Sequence, residues 1–265
     1  MKKLLIILLI IPSLCYPWGE EGHRIMGKIT EKHLTSVTKA KLNKLLDGKA
    51  ISEVSNWLDK MRPVWDRASV FHYISMPVDA LRYEPVHCDN GGICAISMIN
   101  KYENRLLTSI ESPHAKGECI KVMVHLFQDL HMPLHTGGQK NDYGGNGVKI
   151  DFFGKSSNLH KLYDTNIIQY AKKTDDEWVD YLLKDLTPDD IIDIQSGSLE
   201  DWVNDSHAIV KAIYDNLPKK KIDKKVIIDE NYVEFGNKII EQQILKSGLR
   251  LAKYLNERMD KVTMN

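Results

Sequence analysis

The sequence predicts an all-α fold: a single, mainly helical domain, with room for one short β-hairpin near 148–154. Three observations predict it. Apolar residues recur at helical spacing along most of the chain after residue 17. Hydrophobic residues make up 43% and charged residues 27% of the 265 positions, enough apolar matter for a sizeable core. No internal repeat and no low-complexity linker divides the chain.

The elements follow in order. Residues 1–17, MKKLLIILLIIPSLCYP, set Lys2 and Lys3 before an apolar run over 4–11. That is the pattern of a cleaved signal peptide, and the run is too short to span a bilayer, so a secreted or periplasmic protein is expected. Bulky Leu14 before Cys15 argues against lipid attachment there. Helices are expected at 20–34, 36–47 and 50–61, then 95–110 and 114–131, then 157–172, 175–186, 198–217 and 231–258. Ser36, Ser112 and Ser157 stand at or near helix N-caps. The stretch 62–94 carries Pro63, Pro77, Pro85 and Gly91-Gly92 and reads as loop. Cys88 and Cys94 flank its turn-rich DNGGI, which in an oxidising compartment predicts a local disulfide, with Cys119 left as a buried free thiol. TGGQKNDYGGNG within 136–149 reads as an exposed loop, VKIDFFG over 148–154 as the strand, and KKKIDKK over 219–225 as a solvated loop.

Charge narrows the function. Lys plus Arg and Asp plus Glu number 36 each, so no global basic field exists to hold nucleic acid. Loss of residues 1–17 would leave 34 basic against 36 acidic groups, a net charge of −2. An anionic substrate must therefore be gripped locally.

Ten histidines supply the means. His33, His87, His114 and His207 have no partner at ligand spacing and read as structural or surface residues. HLFQDLHMPLH over 125–135 is different. His125 and Asp129 lie four apart, on one helical face; Pro133 ends the helix, and His135 projects from the loop beyond. NLHKLYD over 158–164 repeats the spacing with His160 and Asp164. A His and a carboxylate on one helical face present two zinc ligands together. Asp59 in SNWLD and His72 in FHYI are further candidates without helical spacing.

WGEEGH over 18–23, WLDKMR, FHYI, HLFQDLHMPLH, GGN and NLHKLYD together resemble, in order and spacing, the zinc-dependent single-strand-specific nucleases of the S-one/P-one type. GLRLAKYLN over 248–256 is similar to that family's last helix, so the resemblance spans nearly all of 18–265. It implies the all-helical fold shared with zinc phospholipase C, and three Zn2+ per chain. By position, Asp59, His72, His125 and Asp129 would bind the first ion. Asp129 would bridge to a second, held also by His23 and by the amino group and carbonyl of Trp18; His135, His160 and Asp164 would bind the third. Three carboxylates against three divalent ions make a locally positive cleft on a neutral protein. Zinc lowers the pKa of bound water to about 7, which gives a nucleophile for phosphodiester hydrolysis.

The same resemblance assigns catalytic parts to Asp129 and to Arg62, a phosphate-binding cation. It assigns base contacts to Tyr73, Tyr143 and Asn146. Stacking tolerates any sequence but needs an unpaired base. Ser75 occupies a catalytic position where that family carries a carboxylate, Met132 replaces a usual Gln, and Pro17 is an unusual residue before a cleavage site. The activity implied is a secreted, monomeric endonuclease without membrane attachment. It would cut single-stranded DNA and RNA to 5′-phosphomononucleotides, with 3′-nucleotidase activity as an accompaniment. A zinc phospholipase C is the nearest alternative, but it uses Glu where His160 is followed by Asp164, and Trp18 to His23 is short, as in the nucleases. A non-catalytic secreted metal-binding protein is the other, and the completeness of the ligand positions argues against it.

Overall fold

Glu20 and Glu21 open the first helix and Lys32 closes it, each charge favourable to the helix dipole at its end. In the computed structural model, which describes residues 18–65, 68–108 and 110–264, this helix is α1 (Glu20–Lys32). The signal-peptide reading and Cys15 fall outside the described residues. α2 (Ser36–Leu45) follows, capped one residue before Ser36 by Thr35, whose side chain accepts from the Thr38 amide. The helix expected over 50–61 is interrupted. α3 (Ile51–Val54) and α4 (Trp57–Met61) are separated at Ser55–Asn56, where the Ser55 hydroxyl bonds back to the Ile51 carbonyl at 2.8 Å.

The loop-rich stretch contains a 3-10 turn (Ala68–His72), β1 (Met76–Pro77), a second turn (Pro85–His87) and α5 (Asp89–Gly92). Cys88 and Cys94 form the expected disulfide, with Cα atoms 5.0 Å apart, and Cys119 is free and buried. Burial pushes its thiol up to about 11, so it is inert. α6 (Ala95–Leu107) packs along α7 (Pro113–Asp129). Ser112 caps α7, its hydroxyl accepting from the Ala115 amide, and Pro113 takes the first position. Ser112→Ala should lower stability by about 1 kcal/mol in a urea melt, the ordinary worth of such a cap.

α8 (Pro133–Thr136) corrects one expectation: His135 sits in a helical turn, not a loop, because Pro133 begins a new turn as well as ending α7. β2 (Gly137–Gly138) then pairs parallel with β1, so the stretch 136–149 is only partly exposed. The expected hairpin exists as β3 (Lys149–Phe152) and β4 (Lys155–Asn158). β4 takes the start of the helix expected at 157. α9 (Leu159–Lys161), capped by Asn158, runs through a π-helical turn (Leu162–Asn166) into α10 (Ile167–Tyr170).

α11 (Asp175–Leu183) is followed by α12 (Pro188–Ile194), which sequence periodicity missed because it has no fully buried residue. The helix expected over 198–217 divides into α13 (Leu199–His207) and α14 (Val210–Asp215). KKKIDKK is a hairpin, not a solvated loop: β5 (Lys221–Ile222) and β6 (Lys225–Ile228) join through Asp223 and Lys224, both at positive φ. Lysines mask the signal, while Val226 and Ile228 are buried and β6 pairs parallel with β3. The resulting sheet runs β4-β3-β6-β5. α15 (Glu230–Met259) closes the described fold. At Gly248 a Cβ would lie 2.5 Å from Ile29 Cγ2, so glycine permits α15 to rest on α1. None of the described helices is long and apolar enough to cross a membrane.

Two apolar clusters are present among the described residues. One gathers Leu42, Ile99, Phe127 and Leu255; the other gathers Ile25, Ile29, Leu162, Trp178 and Leu249. Leu130 belongs to the first and Met132 to the second, so the chain crosses the seam just after Asp129. That crossing positions the site.

Candidate metal centre

Helical spacing brings His125 and Asp129 together on α7, with His125 Nε2 3.3 Å from Asp129 Oδ2. α1 delivers His23, whose Nε2 is 3.4 Å from Asp129 Oδ1, and α8 delivers His135, whose Nδ1 is 3.5 Å from the same oxygen. Asp59, from α4, lies 3.4 Å from His72 Nε2 and 3.7 Å from His125 Nε2. The far nitrogen of His135 reaches Asp164 Oδ1 at 3.6 Å, and His160 Nε2 reaches Asp164 Oδ2 at 3.1 Å. Spacing of four survives the π-helical turn here. The groups of ligating atoms are His23–Asp59–His125, His72–His125–Asp129 and His135–His160–Asp164. The last is the expected third set. The first two expected sets merge into one continuous cluster that shares His125.

The imidazoles are oriented from behind. His23 Nδ1 lies 2.6 Å from Gln128 Oε1, His125 Nδ1 2.6 Å from the Ser55 carbonyl, and His160 Nδ1 2.7 Å from the Gly144 carbonyl. Each contact makes Nδ1 the donor and leaves Nε2 with its lone pair directed inward. Gln128 was not legible in the sequence: one residue before Asp129, it carries no spacing signal of its own. Its main-chain carbonyl accepts from the Trp18 indole at 3.1 Å, and the Gly19 amide donates to the Asp164 main-chain carbonyl at 2.7 Å. Trp18 is thereby buried against both ends of the cluster. The break between α3 and α4 frees the Ser55 carbonyl for His125.

The electrostatics are those of a cation site. Burial lifts the Asp59 carboxyl to about 7 although Arg62 opposes it at 3.0 Å. Burial opposes the charging of His135, yet Asp164 and Asp129 carry it up to about 9. Burial pulls the His125 imidazole well below its usual range, and His23 and His72 pull the same way against Asp129. Burial also pushes Asp129 upward, but His125 and His135 outweigh it and hold that carboxyl well below its usual range. His23 Nε2, His125 Nε2, His135 Nδ1 and both oxygens of Asp129 and Asp164 are buried without a hydrogen bond to other protein atoms. Such atoms cost several kcal/mol each in charged form unless paired or coordinated. Imidazole nitrogens and carboxylate oxygens without thiolates form a donor set suited to a first-row divalent cation, and the residues fit one.

The S1/P1 nuclease family model matches residues 18–260, across every residue of this cluster. The chain belongs to the S1/P1 nuclease family. It is 31% identical to Endonuclease 4 of Arabidopsis thaliana over 77% of this chain and 70% of that one. It is 28% identical to Nuclease S1 of Aspergillus oryzae over 94% of each chain, and 24% identical to Nuclease P1 of Penicillium citrinum over 91% of this chain and 97% of that one.

The remaining candidates of this S1/P1 member surround the cluster. Arg62 points its Nε at Asp59. Tyr73 and Ser75 follow His72 on a segment held on both sides. The Ile74 amide donates to the His135 carbonyl at 2.7 Å, the Ser75 amide to the His87 carbonyl at 3.0 Å, and the Ala95 amide to the Tyr73 carbonyl at 3.2 Å. Tyr73 is 38% exposed and Tyr143 82%, so neither is core. Asn146 Nδ2 donates to the Tyr143 carbonyl at 2.9 Å. Met132 is fully buried, its sulfur accepting from the Leu134 amide. His33, His87, His114 and His207 stand outside the ligating groups. His131 is also outside them, fully buried and stacked on Phe127 at 5.2 Å, with its Nδ1 2.9 Å from the Phe127 carbonyl.

Proposed function

We propose that the chain is a secreted, zinc-dependent endonuclease that hydrolyses single-stranded DNA and RNA to 5′-phosphomononucleotides and also removes 3′-phosphates. Residues 18–265 would form the nuclease domain and residues 1–17 a cleaved signal peptide. The observation that carries the reading is the convergence on Asp129. It is a fully buried carboxylate among His23, His125 and His135, in a chain whose family is a nuclease family. Three Zn2+ would be held by Trp18, His23, Asp59, His72, His125, Asp129, His135, His160 and Asp164. When bound, zinc supplies Lewis acidity toward phosphoryl oxygens and makes water acidic enough to attack near neutral pH.

The chain's own residues supply the rest. Arg62 faces Asp59 through its Nε, and its guanidinium is a fork of donors of the kind that suits a phosphate. Tyr73 and Tyr143 present rings for stacking, and Asn146 a side chain for a base edge. The requirement for an exposed base face makes single strands the substrate. Ser75 offers the reacting phosphate a neutral hydroxyl in place of a carboxylate, so it can donate a hydrogen bond but carries no charge. Among the described residues Cys88–Cys94 is a disulfide, which fits an oxidising compartment.

The test is product chemistry. Single-stranded RNA and DNA digested by the purified protein should yield 5′-phosphomononucleotides by mass spectrometry, and phosphatidylcholine should release no phosphocholine. Cyclic or 3′-phosphate products would sink the nuclease assignment as written, and phosphocholine release would move the protein to the lipases.

A further inference from the structure

The loop between β2 and β3 touches the metal cluster on one side and solvent on the other. The Gly144 carbonyl meets His160 Nδ1 at 2.7 Å, while Tyr143, one residue earlier, is 82% exposed. The loop is backbone-strained. Asn141 and Tyr143 stand at φ +64° and +55°, followed by Gly144 at +62° and Gly145 at +83°. Left-handed geometry is strained at a non-glycine residue, and a bulky tyrosine keeps it only where its surroundings dictate it. Gly144 has no latitude either, since a Cβ there would lie 2.4 Å from the Leu134 carbonyl. Something must hold the loop in this shape.

Asp142 is that holding point. Its carboxylate turns inward, is 9% exposed, and accepts from the Tyr214 hydroxyl at 2.5 Å. Oδ1 packs against Gly138, where a Cβ would approach it to 2.8 Å. The Asp142 carbonyl also accepts from the Gly147 amide at 2.8 Å, closing the loop on itself. Tyr214 is fixed in turn. It lies on α14, whose Ile213 carbonyl accepts from Tyr232 at 2.7 Å, and the Tyr232 hydroxyl is 3.3 Å from that of Tyr163, the neighbour of Asp164. Burial and the bond to Asp142 hold the Tyr214 hydroxyl well above its ordinary value, so it remains a donor at every working pH.

We propose that Tyr214 and Asp142 are a positioning pair: their buried hydrogen bond fixes the loop 139–148 so that Tyr143 faces the nucleic-acid base. The inference rests on the reading of Tyr143 as a base contact. Neither residue touches substrate; both act through the loop.

The test compares Tyr214→Phe with the parent protein, both purified with zinc. Loss of the donor should raise KM for a single-stranded oligonucleotide about five- to tenfold, the factor one hydrogen bond controls. kcat should change little, which is the pattern of a lost ground-state contact. Amide exchange over 141–147 should speed up about tenfold, because the loop opens locally. Asp142→Asn, which still offers Tyr214 a carbonyl, should keep the parent KM. If Tyr214→Phe does not fold, Asp142→Leu against Asp142→Asn makes the same comparison. A lower Tm with loop exchange or KM unchanged would make the pair merely structural and overturn the proposal. Tyr143→Ala is the control. It should raise KM alone, and Tyr214→Phe on top of it should add little. Unchanged KM in Tyr143→Ala, with faster loop exchange in Tyr214→Phe, would place the failure in the base-contact reading.

Discussion

Asp129→Asn should reduce hydrolysis of single-stranded DNA by more than about 100-fold, the upper end of what changes to a metal site's outer hydrogen-bond partners cost. In the proposed site Asp129 would contact the cation directly. The two oxygens of its carboxylate lie 3.3–3.5 Å from His23, His125 and His135 and have no hydrogen bond to another protein atom. The amide has the same shape, so volume and helix are kept. What changes is charge: one oxygen becomes an NH2 that repels a cation and cannot bridge two. The measurement is metal content by mass spectrometry beside activity. At least one zinc per chain should be lost, with the circular-dichroism helix signal retained. A variant that kept its full metal content and its rate would remove Asp129 from the centre of the mechanism.

A chain that retains Tyr16-Pro17 before Trp18 should also be inactive, to within a few percent of the mature rate, and should lack one zinc. Trp18 is buried, its indole held by the Gln128 carbonyl and the next amide held by the Asp164 carbonyl. The backbone of residue 18 is thus fastened beside the cluster that His23 enters from α1. A free α-amine there has a lone pair for a cation; a peptide nitrogen does not. Zinc must displace the proton of that amine, whose ordinary pKa is about 8, so occupancy through Trp18 should fall as pH drops below that value. N-terminal sequencing of the exported protein checks the cleavage point. Full activity with any residue before Trp18 would rule out the amine as a ligand.

Much of this site was legible because helical spacing carries three-dimensional information. His125 with Asp129, and His160 with Asp164, are neighbours for the same geometric reason; Asp59, His72 and His135 were candidates without helical spacing, and the family motif added Trp18 and His23. What was not legible lies in backbone carbonyls and outer partners. Ser55 and Gly144 orient imidazoles through their main-chain oxygens, which no side-chain identity announces. Gln128 does so through a side chain whose neighbours in the sequence drew the attention. Among the elements, α12 was invisible because it buries none of its residues fully. β5 and β6 were hidden by lysines that decorate a strand pair whose apolar residues are Ile222, Val226, Ile227 and Ile228. The breaks at Ser55–Asn56 and near Ala208 are tertiary decisions, taken where packing outweighs helix continuity.

The seam between the two apolar clusters has a consequence for the lifetime of the enzyme. The groups at that crossing are ionisable: Asp129 immediately precedes Leu130, which belongs to one cluster, and His131 stands between Leu130 and Met132, which belongs to the other. Occupancy by cations stabilises the folded chain in proportion to the logarithm of the free metal concentration, about 2.7 kcal/mol at a hundredfold excess over Kd. If the site holds zinc as proposed, scarcity of the free ion would leave these buried groups uncompensated, and the seam would be the first place to open. The surroundings would then set how long the protein persists, and the same ions that make it active would be the clock on its turnover.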